Sequence, residues 1–248
     1  MFRRPQDYKP DAETSQLGST LAPLRVCIWG PSAMSYLGVP IVVGLPMVVV
    51  QDEELEKATQ KLCDSGFIPS SPKRDPAPEI MARLPDPEAV MREINKDYER
   101  LDRSCRTFNW PSHPRKRFEQ VLLMPASFAK LPDFSPTTAQ YDTYGNIFYP
   151  QQRTLLESFI RAAIDEQNNA GFTTWTSSIE AWISMMVGYL GLKNDVLDDC
   201  LDEQVVTWYS TRFGRIYESK NGPFDRRVSK RLGSGKELPF DMSGRPLS

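Results

Sequence analysis

The chain has 248 residues, 40% of them apolar and 10% aromatic, which suffices for a packed core and excludes a disordered protein. Its 30 basic residues are set against 32 acidic ones, so it lacks the excess positive charge that a general nucleic-acid binder needs. Proline is over-represented at 21 residues, against roughly 5% in ordinary proteins, and predicts many loops and short elements.

Residues 1–22 are polar and without periodicity, and are expected to form a mobile arm. Their first ten residues hold no apolar segment of the kind that directs secretion. Leu24 to Trp29 reads as a strand stopped by Gly30-Pro31, and Ser32 to Leu37 as a short helix with Pro31 in its first turn and Gly38 at its end. Ile41 to Val43 and Met47 to Val50 read as a buried strand or a bent hairpin. This longest apolar stretch, Val39 to Val50, is broken by Pro40, Gly44 and Pro46, and is short of the ~20 residues a membrane helix needs. Asp52 is expected to cap an amphipathic helix in which Leu55, Ala58 and Leu62 line one face and Ser65-Gly66 ends the run. Phe67-Ile68 begins another strand.

Residues 69–87 read as an irregular excursion rich in Pro, Ser and charge. A helix from about Pro87 carries Val90, Met91, Ile94, Tyr98 and Leu101 at helical spacing. Phe118 to Met124 reads as a strand. Two amphipathic helices follow, one marked by Leu155, Leu156, Phe159, Ile160, Ala163 and Ile164, the other by Ile179, Trp182, Ile183, Met186 and Tyr189. A third is predicted from near Asn194, with Leu197, Leu201 and Val205 as its stripe. The expected fold is α/β (α+β), a small mixed β-sheet with a C-terminal helical region. Its parts are an arm at 1–22, an α/β region at 23–150, a helical region at 151–219, and an extended or disordered tail at 220–248.

The strand, turn and helix around Trp29-Gly30 and Tyr36-Leu37-Gly38-Val39-Pro40 resemble the start of the nucleotidyltransferase-fold superfamily. The resemblance is to nucleotidyltransferase-like fungal proteins, and extends to Gly66-Phe67, to Leu122-Leu123-Met124-Pro125-Ala126-Ser127 and to Leu155-Leu156-Glu157-Ser158. It covers residues 24–190 and implies a nucleotidyltransferase-like sheet. The family's chemistry needs an acidic pair on the second strand to hold Mg²⁺ against a triphosphate. Here that stretch, Val43 to Val50, holds no carboxylate, and Glu119 alone matches a third acid. The resemblance therefore implies a scaffold that has lost nucleotidyl transfer.

A second signal is the run Asp198-Asp199-Cys200-Leu201-Asp202, which resembles the aspartate-rich motif of terpene synthases and prenyltransferases. On a helix, Asp195/Asp199, Asp198/Asp202 and Asp199/Glu203 would be like-charge pairs, each costing about 0.2–0.5 kcal/mol and relieved by Mg²⁺. The plainer reading is a solvated acidic face at a helix start. The lone histidine, His113, excludes a multi-histidine metal site, and no Gly-x-Ser-x-Gly elbow accompanies it. Neither a phosphate-binding P-loop nor a Gly-x-Gly-x-x-Gly dinucleotide motif occurs.

The expected function is binding of a small apolar metabolite without any cofactor, with cyclase (pericyclase) chemistry in fungal natural-product biosynthesis as the sharpest form. Ser32, Tyr36, Trp110 and His113 are the candidate catalytic groups. Trp29, Met47, Met124, Tyr144, Trp182 and Met186 are the candidate substrate contacts. The alternatives are a non-catalytic interaction protein and a Mg²⁺-dependent diphosphate enzyme using Asp198, Asp199 and Asp202. Cys27, Cys63, Cys105 and Cys200 are far apart, which points to a reducing compartment, the cytoplasm. No nucleic-acid or membrane partner is expected, and short strands leave sheet edges that would accommodate a homodimer.

Overall fold

The computed structural model describes residues 4–74, 78–111, 119–134, 139–193, 196–213, 215–218 and 222–225. They fall into two compact units, Met1–Leu190 and Gly191–Ser248. The division therefore comes after the two long predicted helices, which belong with the sheet.

The N-terminal stretch is not an arm. The Asp11 carboxylate accepts from the Thr14 N–H at 2.7 Å and caps helix α1 (Ala12–Leu21), whose Leu17 and Leu21 are buried one turn apart. Ahead of it, the Arg4 N–H donates to Gly38 O and the Asp7 N–H to Tyr36 O. Two large apolar residues in a polar stretch are too few to read as a periodicity.

Strand β1 (Val26–Trp29) turns into helix α2 (Gly30–Tyr36). Residues 41–46 form no strand, and Val42 is 88% exposed, because Pro40 and Pro46 withhold the donors a ladder needs. Strand β2 (Met47–Val50) follows. A 3₁₀ turn at Asp52–Glu54 leads into α3 (Leu55–Asp64), with Ala58 and Leu62 buried as the spacing predicts. Asp52 does not cap that helix. Its carboxylate accepts instead from the Ser127 N–H at 2.9 Å.

The strand expected from Phe67-Ile68 is the two-residue β3 (Ile68–Pro69), and the excursion contains one helical turn α4 (Pro78–Met81). The helix predicted from Pro87 is two helices, α5 (Pro87–Lys96) and α6 (Glu99–Ser104). At the break, the Asp97 carboxylate accepts from the Thr174 N–H at 3.0 Å. Then come β4 (Arg106–Asn109), β5 (Gln120–Pro125), α7 (Ala126–Ala129), β6 (Tyr141–Tyr144) and β7 (Ile147–Pro150). The expected strand thus starts at Gln120, and Phe118 lies outside the described residues. The two long helices are α8 (Gln152–Ala170) and α9 (Thr174–Leu190), packed against each other.

Seven strands form one mixed sheet in the order β3-β4-β5-β2-β1-β7-β6. β1 runs antiparallel to β2 and parallel to β7, and β2 runs parallel to β5. β1, β2 and β5 are buried along their whole length, which requires cover on both faces of the sheet.

In the second unit the predicted helix does not begin near Asn194, which lies outside the described residues with Asp195. Residues 196–199 form a turn, and helix α10 (Glu203–Phe213) starts later. Leu201, expected on its apolar stripe, is 99% exposed. A hairpin of β8 (Arg215–Glu218) and β9 (Gly222–Asp225) follows, and the remainder of the expected tail lies outside the described residues. Among the described residues no helix is long and apolar enough to cross a membrane.

Candidate functional site

A cavity of about 540 Å³ opens where β1 turns into α2 and β2 begins. Its apolar lining comes from four parts of the first unit. The β1–α2 and β2 side gives Pro31, Leu45 and Met47. The parallel register sets Leu122 of β5 beside Met47. Helix α9 gives Trp175, Ser178 and Trp182, and Tyr98 and Leu101 complete the apolar lining.

The aromatic wall is held from behind. Trp182 lies edge-on to Trp175 with ring centroids 5.4 Å apart, and edge-on to Trp29 at 5.8 Å. Trp29 is fully buried, packs edge-on against Phe159 of α8 at 5.0 Å, and donates its indole N–H to the Ser158 hydroxyl at 2.8 Å. Trp29 therefore supports the wall and does not line the cavity.

Apart from Ser178, the charged and amide groups of the lining, Lys73, Arg74, Glu119 and Gln120, come from the strap Ser70–Arg74 and the entry to β5. Buried Gln120 organises the strap. Its Nε2 donates among Ser70 Oγ, Ser71 O and Asn109 Oδ1 at 2.8, 2.9 and 3.1 Å, and its Oε1 accepts the Lys73 N–H at 2.9 Å. The Lys73 ammonium pairs with the Glu119 carboxylate at 2.7 Å, and that contact holds the Glu119 carboxyl below its ordinary range. The Arg74 guanidinium is forked onto the Asp102 carboxylate and lies over the Tyr98 ring at 4.2 Å.

The predicted site residues divide. Met47 and Trp182 line this cavity. Met124 and Met186 are fully buried in the core. Trp110, predicted as catalytic, is also buried. It packs on Phe67 at 5.0 Å and donates its indole N–H to Gln120 O at 3.2 Å.

Ser32 and Tyr36 line a different concavity of about 220 Å³. There Tyr36 and Tyr144 share a hydrogen bond of 2.8 Å, and the Tyr36 O–H also lies 3.0 Å from the Asp142 carboxylate. Burial, with the hydrogen bonds to Tyr144 and Asp142, pushes the Tyr36 phenol far above its ordinary range. It stays protonated near neutral pH and is no general base. His113 lies outside the described residues.

Asp198 and Asp199 sit in a turn, so Asp198/Asp202 and Asp199/Glu203 are not pairs on one helix, and Asp195 lies outside the described residues. Asp202 accepts from the Val205 N–H at 3.3 Å, at the start of α10. Among the described residues no cluster of three His, Cys, Asp or Glu side chains is placed to hold a metal. At the first unit, β2 consists of Met47, Val48, Val49 and Val50, and the Met47 sulfur fills the space over Gly30. These residues do not fit a metal-bound triphosphate.

Tyr98, Lys73, Arg74 and Gln120 were not among the expected site residues. The available signal was Gln120, a lone amide heading the otherwise apolar run Val121 to Pro125. A buried amide needs partners, and here the partners are the strap. No protein-family model and no curated protein matches this chain.

Proposed function

We propose that this chain is a nucleotidyltransferase-like scaffold rebuilt to bind a small, largely apolar metabolite, and that it acts on it as a cofactor-independent cyclase. The observation that carries the reading is the 540 Å³ cavity walled by Trp175, Trp182, Tyr98, Met47 and Leu122, with its charged groups gathered at one place. The order strand, Gly turn, short helix, strand supports the scaffold part. The stretch Val43 to Val50, where that family's chemistry would need its acidic pair, holds no carboxylate and supplies Leu45 and Met47 to the apolar wall.

A pericyclic closure makes and breaks bonds within the substrate and transfers no proton to the protein. Flat aromatic walls restrict a flexible chain to folded conformers near the reacting geometry, which lowers the entropic part of the barrier. The Lys73 and Arg74 N–H donors stabilise charge that builds on a substrate carbonyl oxygen.

The test is a thermal-shift and mass-spectrometric comparison of three additions. These are a metal-free extract of apolar metabolites from the native host, Mg²⁺ with nucleoside triphosphates, and Mg²⁺ with prenyl diphosphates. Stabilisation by a component of the apolar extract is expected, about 2.7 kcal/mol at 100 times its Kd, with conversion to an isomer of equal mass. Trp182→Ala removes both effects. Stabilisation only by Mg²⁺ with a phosphate ligand overturns the proposal.

A further inference from the structure

We propose that the ligand of this cavity is an aromatic or conjugated monocarboxylate, bound with its carboxylate on Arg74 and its flat apolar body against Trp175 and Trp182. This rests on the reading of the cavity as a metabolite site and adds the chemical class of the metabolite.

The inference comes from counting the N–H groups of Arg74. A guanidinium has five N–H donors in a rigid plane. Nη1 serves the Asp102 carboxylate and lies 3.4 Å from Asn95 Oδ1, and Nη2 gives one N–H to Asp102. The Nε–H and the second Nη2–H take no partner among the described residues. These two point in parallel from one edge of the plane, which is the geometry that receives a carboxylate with two hydrogen bonds.

The edge is also pre-organised. The Arg74 side chain is only 14% exposed, forked by Asp102 and stacked on Tyr98. Little side-chain freedom remains to be lost on binding. Arg74 and Tyr98 both line the aromatic cavity, while Asp102 and Asn95, the partners of the other edge, line with Arg74 a neighbouring concavity of about 550 Å³.

Lys73 adds a second cation at the rim. Its pair with Glu119 is 61% and 78% exposed, and such pairs hold weakly and exchange partners readily. It therefore steers an incoming anion and leaves the fixing of its position to Arg74. Glu119 opposes a second negative charge, which is why a monocarboxylate is favoured over a dianion or a diphosphate.

The experiment titrates the full chain with 2-naphthoate and with its neutral isostere 2-naphthamide, following binding by calorimetry and by tryptophan emission. Naphthoate is expected to bind about tenfold more tightly than the amide. Arg74→Lys keeps the charge but loses the fork, and is expected to bring the two probes to within about twofold by weakening naphthoate far more than the amide. Lys73→Gln weakens naphthoate about twofold and reduces its salt dependence.

Equal affinity for the two probes in the parent protein, or a preference for the acid that survives Arg74→Lys, overturns the carboxylate assignment and leaves the cavity reading intact. Failure of both probes to bind the parent protein overturns the assignment and the cavity reading together. Should Arg74→Lys fail to fold because Asp102 loses its partner, the ratio in the parent protein and the Lys73→Gln titration decide the question.

Discussion

A methyl group added to Gly30 would lie 2.6 Å from the Met47 sulfur, on a backbone already in the left-handed region at φ +62°. Gly30→Ala therefore meets two penalties, one conformational and one steric, together about 2 kcal/mol or more. Chemical denaturation of the single and double variants separates them. Truncation to Met47→Ala removes only the steric part, so the pair costs about 1 kcal/mol less than the sum of its members. Additive effects would show that the sulfur does not press on the turn. The same scale explains what was legible in the sequence. Met47 and Trp182 could be named because large apolar side chains stand out, one heading the run Met47 to Val50 and one on an aromatic-rich helix. Trp110 and Trp29 look identical in sequence but satisfy their indole N–H groups inside the core, at Gln120 O and Ser158 Oγ. Lys73 and Arg74 were hidden in a stretch without periodicity, where only tertiary bonds give a residue a fixed place.

Between elements, α6 and α8 are joined through Arg100, which bonds the almost fully buried Glu166 at 2.7 Å and also Asp165. Lys130, just after α7, reaches Asp165 at 3.1 Å. Arg100→Ala strands the Glu166 carboxylate and is expected to cost about 3 kcal/mol in urea unfolding at neutral pH. The pH dependence has a definite sign. Burial favours the protonated Asp165 carboxyl, but hydrogen bonds from Arg100 and Lys130 override it and hold the group below its ordinary range. The unfolded chain then takes up this proton at a higher pH than the folded one. The stabilisation is complete above about pH 4 and is lost as the pH falls through the folded value. Urea midpoints of the parent chain should drop as the pH falls below about 4, and drop less in Arg100→Ala. An equal drop would assign acid sensitivity to other carboxylates. Helical spacing found α3, α8 and α9, because each turns a regular apolar stripe inward. It could not find β4 or β6, whose sequences Arg-Thr-Phe-Asn and Tyr-Asp-Thr-Tyr alternate too briefly to read as strands without their partners. The acidic run after Lys193 misled for the reverse reason. Its leucines repeat at helical spacing while Leu201 stands in solvent.

For the first unit as a whole, the α/β class was legible and the position of its N-terminal segment was not. Composition and alternating elements suffice for the class. The placement of residues 4–24 depends on groups far along the chain. Asn146, in the two-residue turn between β6 and β7, donates its amide to Gly18 O at 2.9 Å and to Leu24 O at 2.8 Å. Gln6 reaches Asp142 at 3.1 Å, and Val26 pairs with Ile147 across the sheet.

The clamp at Asn146 sets an order of events during synthesis. α1 and β1 are translated ahead of β6 and β7, which carry the groups that receive them, and the Trp29 indole waits longer still for Ser158. Until then a buried strand has one neighbour instead of two, and an apolar helix face has no seat. Nascent chains arrested before Ile147 should be cut by protease within residues 4–24, whereas chains released past Ala170 should resist. Early protection would mean that the N-terminal segment folds locally and that Asn146 only decorates it. Residues 4–24 are thus made well before the groups that fix their place.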